Sequence, residues 1–263
     1  TVGTNTPMEY ETLIRDVLCA GDGNGSISIN FTGGGVPPYL FGFSDSPLTE
    51  TTSIDGLSGG TFYVTLEDAN GCRILDTIDI YEPEEVFVEA GPDQLIELGE
   101  STIINGQVSS TLNQSLVWSP TDSLDCPGCL RTPADPTSRT VYTLTTIDTI
   151  SGCFRQDSLT IRLQKTRGVF IPNAFSPNVD GSNDAFQFFT DRSVARIRYL
   201  RIFTRWGEMV YEAENFHPTD SRFSWDGKHR DKPLNPQVLV YVAEVEFIDG
   251  VVQEYKGDIT LIR

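Results

Sequence analysis

Apolar residues recur at every second position in short runs along this chain, and each run stops at Gly, Pro, Asn or Asp. A period of two puts alternate side chains on opposite faces of an extended strand, whereas a helix needs apolar residues three and four apart. In residues 25–34, "GSISINFTGG", Ile27, Ile29 and Phe31 share one face. In residues 59–72, "GGTFYVTLEDANGC", Phe62, Val64 and Leu66 do the same, and Asp68 to Gly71 predict a turn. No segment shows a convincing period of 3.6. The pattern predicts an all-β fold of tandem sandwich modules.

At 263 residues the chain is long enough for two or three domains. Hydrophobic residues at 38% and aromatics at 10% support packed cores. The net charge is −18, unevenly spread: residues 1–167 hold 8 Lys and Arg against 23 Asp and Glu, residues 168–263 hold 11 against 14. So acidic a chain argues against nucleic-acid binding, which needs a basic surface to neutralise phosphates. The charge step predicts a boundary near residues 165–168. We read residues 1–9 as a linker from an upstream chain, 10–83 and 84–167 as two sandwich modules, and 168–263 as a third module. Thr1 reads as the middle of a longer chain. The end of the chain, residues 260–263, reads as part of a docked strand.

In the second module, "LVWSP" places Trp118 on a core strand. "TVYTLTTIDTISGC" matches the hairpin of the first module, with Tyr142 standing before Cys153 as Tyr63 stands before Cys72. In the third module, residues 195–213 read as a hairpin turning at Arg205-Trp206-Gly207. Ile197, Tyr199, Arg201 and Phe203 fall on one face, and Arg198, Leu200 and Ile202 on the other. A second hairpin turns at Asp249-Gly250.

The five cysteines fit an oxidising compartment. Cys19 precedes one strand and Cys72 follows a turn, so a Cys19–Cys72 disulfide is expected. Cys126 and Cys129, in "CPGC" between strands, predict a local loop disulfide. Redox CxxC pairs open a helix, and a zinc site needs further ligands. Cys153 is then the odd thiol.

Four segments occur in order in the third module: "IPNAFSPNVDGSNDAF", "LRIFTRWGEMVYE", "WDGK" and "KGDITLIR". Together they resemble the gliding motility-associated C-terminal domain, the type B sorting domain of the Bacteroidetes type IX secretion system. Val179 stands where that family usually has Gly, Thr204 where it has Asn, and Gln237 near a usual Gly. The first module ("GDGNGSISI", "GGGVPPYLFGF") looks like SprB adhesin repeats. The second ("AGPDQLIELGE", "WSP", "CPGC") resembles Ig-like or PKD-like surface modules. The resemblance implies the C-terminal part of an exported cell-surface adhesin of gliding motility, delivered through the outer membrane. Its implied partners are the type IX translocon and a PorP/SprF-type outer-membrane barrel protein, with surface glycans as candidate ligands of the upstream modules. The alternative is the sorting tail of a secreted polysaccharide-degrading enzyme.

Asn178, Asp180, Asn183 and Asp184 have the oxygen-rich composition that Ca²⁺ favours, though not EF-hand spacing. A network of Asx turns uses the same residues, and both readings stand. No cofactor is required. Arg192, Arg196, Arg198, Arg201 and Arg205, with Trp206, are either a charged sheet face balanced by Glu208, Glu212 and Glu244, or a docking surface for a partner. Trp206 and Trp225 are expected mainly in the core. His217 and His229 lie in loop-like segments with no nucleophile and carboxylate at catalytic spacing. We expect no catalytic residues and no enzyme.

Overall fold

The computed structural model describes residues 6–44, 46–109 and 113–262. Residues 1–5 of the expected linker, and Arg263 of the expected last strand, lie outside them. The structure is all-β; among the described residues the one helical element is a single 3₁₀ turn, Ser221–Phe223.

Six strands come first: β1 (Glu9–Arg15), β2 (Gly25–Gly33), β3 (Leu40–Phe43), β4 (Ser53–Leu57), β5 (Gly60–Glu67) and β6 (Arg73–Ile80). They form two antiparallel sheets, ordered β1-β2-β4 and β3-β5-β6. The alternating residues Ile27, Ile29, Val64 and Leu66 are buried with Phe41 and Ile78 in one core. β1, "EYETLIR", has no clean alternation and buries no side chain fully. A hydrogen bond fixes it to the other sheet: Tyr10 Oη donates to Asp76 Oδ2 at 2.6 Å. That bond to a carboxylate pushes the tyrosine pKa up to about 12.

Eight strands follow: β7 (Val88–Glu89), β8 (Gln94–Glu97), β9 (Thr102–Asn105), β10 (Gln107–Val108), β11 (Gln114–Ser119), β12 (Arg131–Ala134), β13 (Thr140–Asp148) and β14 (Phe154–Gln164). The main sheet runs β11-β13-β14-β8, with β8 parallel to β14. Trp118, Tyr142, Leu144 and Ile104 are fully buried. Trp118 Nε1–H donates to the Cys129 carbonyl, 2.9 Å away. Gly106 lies under this cluster, where a Cβ would come within 2.4 Å of Leu144 Cδ2. Tyr63 is 63% exposed while Tyr142 is 0%. The expected match between the two hairpins therefore does not hold in side-chain direction: β5 turns Val64 and Leu66 inward, and its tyrosine faces out.

The last nine strands are β15 (Val169–Phe170), β16 (Ala174–Phe175), β17 (Phe189–Thr190), β18 (Val194–Thr204), β19 (Met209–Phe216), β20 (Lys228–His229), β21 (Lys232–Pro233), β22 (Gln237–Phe247) and β23 (Val252–Leu261). Five of them form a sheet in the order β16-β23-β22-β18-β19. β16 pairs in parallel with β23, so the first motif of this module is zipped to its last. Thr260 N–H donates to the Asn173 carbonyl (2.8 Å) and Ile262 N–H to that of Phe175 (3.0 Å). The expected faces of β18 are corrected by a bulge between Ile197 and Tyr199. Ile197 is buried; after the bulge the alternation resets, and Leu200 and Ile202 are buried while Tyr199, Arg201 and Phe203 are not.

By its contacts the chain divides into two compact units. One is Thr1–Val88 with Val108–Leu116 and Thr145–Gln156; the other is Glu89–Gln107, Val117–Leu144 and Asp157–Arg263. Within the second, the Asp249 carboxylate, only 5% exposed, receives Arg167 at 2.7 Å and Lys165 at 3.1 Å. Arg167 also lies 5.2 Å from the Phe247 ring centroid.

The disulfides are Cys126–Cys129, as expected, and Cys19–Cys153. The expected Cys19–Cys72 pairing is not made, and Cys153 is no odd thiol. The reason is the length of the β5–β6 hairpin. Cys72 sits in the turn at its Glu67/Arg73 end, whereas the Cys19 loop is bonded at the Gly60/Ile80 end, through Val17 N–H to the Tyr81 carbonyl and Gly21 N–H to Glu82. Seven residues of strand separate the two ends by about 23 Å, far beyond disulfide reach.

Two predictions follow from this construction. Leu261, at 1% exposure on the closing strand, makes Leu261→Ala cost about 2–5 kcal/mol in a denaturant titration; a cost under about 0.5 would mean the β16–β23 closure is dispensable. The second concerns the Asp148 turn. Amide donors of Ser151 and Ile150 hold the Asp148 carboxyl below its usual 3.8. A depressed folded pKa stabilises above the unfolded value and loses that contribution as pH falls through the folded one. Thermal melts should therefore show no contribution from Asp148 to pH dependence between pH 7 and 5. Below about pH 4 the wild type should fall more steeply than Asp148→Asn, and equal slopes would refute the assignment.

Candidate functional site

The residues expected to form a loop site and a docking surface all lie in the third module, and the structure treats them differently. In the Asn178–Asp184 loop the short side chains cap the loop's own amides. Asp184 Oδ1 accepts from Asn178 N–H (3.1 Å) and Val179 N–H (2.6 Å), and its Oδ2 from Gly181 N–H (2.8 Å). Asn178 Oδ1 accepts from Asp180 N–H, and Asp180 Oδ1 from Ser182 N–H. Asn183 contributes its carbonyl to Ser176 N–H. The four residues are brought together, but their oxygens point at N–H donors. Among the described residues no three His, Cys, Asp or Glu side chains gather as a metal cluster. Val179 takes φ +66° at the tip, a left-handed conformation where the resembled family usually has Gly.

The arginines alternate along β18 opposite glutamates of the neighbouring strands. Arg196 donates to Glu246 through Nε (2.9 Å) and Nη2 (2.8 Å). Arg198 reaches Glu244 at 2.8 Å. Arg201 is bracketed by Glu212 (2.7 Å) and Glu214 (3.3 Å), with its guanidinium 4.9 Å from the Tyr199 ring centroid. The Glu212 hydrogen bond raises the already high Arg201 pKa. These three arginines therefore form the balanced charged face. Glu208, expected in that balance, instead lies 3.6 Å from His229. Among the described residues no ion pair reaches Arg192 or Arg205.

Arg205 sits beside Trp206 at the tip of the β18–β19 hairpin. Trp206 is 96% exposed, which corrects the expectation that it fills the core. The turn itself explains the exposure. Gly207 N–H donates to the Thr204 carbonyl, Thr204 N–H to that of Glu208, and Gly207 takes φ +84°. Thr204 Oγ1 accepts from Glu208 N–H at 3.2 Å, supplying a side-chain acceptor where the resembled family has Asn. The closed turn holds the indole away from the sheet.

Trp225 has the opposite fate. It is 2% exposed, packs on Phe175 at 5.4 Å between ring centroids, and donates from Nε1 to the Lys228 carbonyl. In the same motif Gly227 has φ +76° and lies against Leu261, Pro177 and Phe175. Gly257 in the closing motif has the Tyr241 ring directly over it.

Both histidines make local hydrogen-bond contacts. His217 Nδ1 accepts from Thr219 N–H, with Thr219 Oγ1 2.8 Å away, but the neighbouring Asp220 is held by Arg222. His229 Nδ1 meets the Val210 carbonyl at 3.1 Å. A further feature escaped the alternation analysis: Phe170 and Phe189 form an exposed ring pair with centroids 6.1 Å apart across β15–β17. Phe170 closes and Phe189 opens a two-residue strand, each too short to show a period.

The loop gives one prediction with a built-in control. A β-branched residue in the left-handed region costs about 1–2 kcal/mol, so Val179→Gly should stabilise the protein by about 1 kcal/mol. Asp184→Ala, which orphans three amides, should destabilise it by about 1–3 kcal/mol. Denaturant titration reads both, and a destabilising Val179→Gly would overturn the account. Amides bound by carboxylates also predict no rise in melting temperature on adding millimolar calcium, since only a ligand of the folded state raises it.

Comparison with known proteins completes the picture. Residues 169–261 match the CHU_C type IX secretion signal domain and residues 13–46 match the SprB repeat. No curated protein matches the chain. Among solved structures it is similar to a tetra-tandem repeat from the extending region of a large adhesion protein, at 14% identity and TM-score 0.40, covering 98% of this chain and 75% of that one. It is similar also to the titin I-band fragment I67–I69, at 9% identity and TM-score 0.37 over the full length of both. Drosophila N-cadherin EC1–4 follows at 11% and 0.30, covering 91% of this chain and 70% of that one. With an SprB repeat near one end and a type IX secretion signal domain at the other, the chain carries the marks of a gliding-motility-associated surface protein exported through the outer membrane.

Proposed function

We propose that residues 168–263 dock on the type IX machinery through the tip of the β18–β19 hairpin, and that the upstream modules are the stalk of a non-catalytic adhesin. The docking partner in this reading is an outer-membrane barrel of the PorP/SprF kind, with surface glycans as ligands of the upstream modules. One observation carries it. The tryptophan of "WDGK" and the glycines of "WDGK" and "KGDITLIR" are buried or pressed against neighbours, whereas Trp206 exposes 96% of its surface. A large aromatic beside an arginine that no ion pair reaches among the described residues has the composition of an interface hot spot. The non-catalytic reading is supported by the engagement of both histidines in turn and edge contacts.

The test fuses residues 168–263 to a fluorescent reporter and compares surface display with that of Trp206→Ala, Arg205→Glu and the double variant. Loss of a hot-spot tryptophan weakens binding by about 2 kcal/mol, or about 30-fold, so display should fall several-fold. Stability should stay within about 0.5 kcal/mol, because the replaced side chain is on the surface. Display equal to the parent in the double variant would sink the docking surface. A parent reporter retained in the periplasm would show that the module is insufficient alone. The contrasting pair Arg196→Glu and Arg198→Glu breaks the Glu246 and Glu244 pairs and should act on stability first.

A further inference from the structure

The Cys19–Cys153 disulfide has a topological consequence that bears on a surface protein under tension. Cys19 lies in the loop between β1 and β2, inside the matched SprB repeat, and Cys153 in the turn between β13 and β14. Their Cα atoms are 5.7 Å apart across a sequence separation of 134. Strands β2 through β13 are therefore enclosed in one covalent loop.

Both anchor turns are braced. On the Cys19 side, Asp22 N–H donates to the Cys19 carbonyl, and the Glu82 carboxylate ties Gly21 N–H (2.7 Å) to Gly59 N–H (2.6 Å). On the Cys153 side, Asp148 N–H donates to the Cys153 carbonyl, and the Asp148 carboxylate gathers the Ile150 and Ser151 amides. Arg155 Nη2 crosses between the turns to the Ala20 carbonyl at 3.0 Å.

Tension entering before Glu9 runs along β1 to Cys19, crosses the disulfide, and leaves along β14. Those strands have 7 and 11 residues and rise about 3.3 Å per residue. That is close to the limit of an extended chain, so pulling on them releases almost no length. The covalent path bypasses the enclosed segment, which meets it only through hydrogen-bonded ladders such as β1–β2 and β14–β8. If it were to unfold in the path it would release about 470 Å, at about 3.5 Å per residue over the 134-residue separation.

We propose that Cys19–Cys153 is a load-bearing clamp that routes pulling force around β2–β13, so that the chain transmits tension without unravelling its first two modules. The inference rests on the adhesive-stalk reading for its purpose but not for its mechanics. Its prediction is read on the whole chain, tethered at both ends in single-molecule force spectroscopy. The oxidised chain should release only the length outside the loop. With dithiothreitol present, one disulfide is exchanged for two thiols while the reductant becomes a cyclic disulfide, and the total release should grow by about 470 Å. A Cys19→Ser/Cys153→Ser variant should give the long release without reductant. If that variant does not fold, reduction of the wild-type chain held under load gives the same measurement in one molecule. Equal release in the oxidised and reduced chains overturns the clamp.

A second arm separates purpose from mechanics. Cells displaying the wild-type or the double-serine chain, matched for surface amount by antibody, are held on glass under rising shear flow. Earlier detachment of the variant supports the clamp as a load-bearing device, and equal detachment overturns that role. Failure of wild-type cells to hold better than cells lacking the chain defeats the adhesive reading alone, because the length measurement stands without it.

Discussion

A turn that reverses a β chain leaves amide N–H groups aimed away from any ladder, and an all-β protein of short strands has many such turns. An amide left without an acceptor costs about 1–3 kcal/mol when it is shielded from water. Here the recurring answer is a carboxylate. Asp68 takes three amides, from Val36, Asn70 and Cys72. Glu82 takes two, Asp148 two, Asp184 three, and Asp191 those of Gly168 and Ser193. Part of the net charge of −18 is thus the architecture of the turns. The same constraint shapes the Asn178–Asp184 loop, where side-chain oxygens of Asn178, Asp180 and Asp184 accept from the loop's own amides.

What could be read in advance was what depends on local period and turn chemistry. The inward faces of β2 and β5, the core position of Trp118 and the Asp68–Gly71 and Asp249–Gly250 turns all follow from spacing within a dozen residues. What escaped depends on where distant ends of strands lie. The Cys19 partner is set by which end of the β5–β6 hairpin the Cys19 loop meets, and no pattern near either cysteine contains that. The faces of β18 were misread because a bulge adds one residue without changing composition. β1 was missed because its attachment is a ladder plus one hydroxyl–carboxylate bond, with no alternation to see. Trp206 was misplaced by composition: a tryptophan in a strand-rich segment is usually buried, and only the closure of the Thr204–Glu208 turn shows that this one is not.

The motifs of the secretion signal domain build the fold, except for one exposed tip, Arg205-Trp206. Phe175 and Leu261 lie where β16 pairs with β23, so the opening and closing motifs are two halves of one joint. Trp225 and Gly227 pack onto that joint. A recognition element read by other proteins must be presented on a rigid support, because ordering a flexible segment on binding weakens affinity. The hairpin tip meets that condition: β18 lies between β19 and β22 for most of its length, and the Arg196, Arg198 and Arg201 pairs stiffen the face behind it. The arginines first visible as a basic concentration are therefore support, and the neighbouring Arg205 and Trp206 are what the support displays.

The two ends of the chain are held by different means. The secretion signal domain holds itself with an aromatic core and a non-covalent joint between its first and last strands, so pulling its termini apart loads hydrogen bonds directly. The first unit instead has a covalent bond across its path. A bond of that kind forms only in an oxidising compartment, which a chain exported through the outer membrane passes through and then stays beyond. Export therefore supplies the condition under which the clamp closes. The part of the chain that directs export and the part proposed to bear load are thus linked through redox chemistry as well as through the peptide backbone.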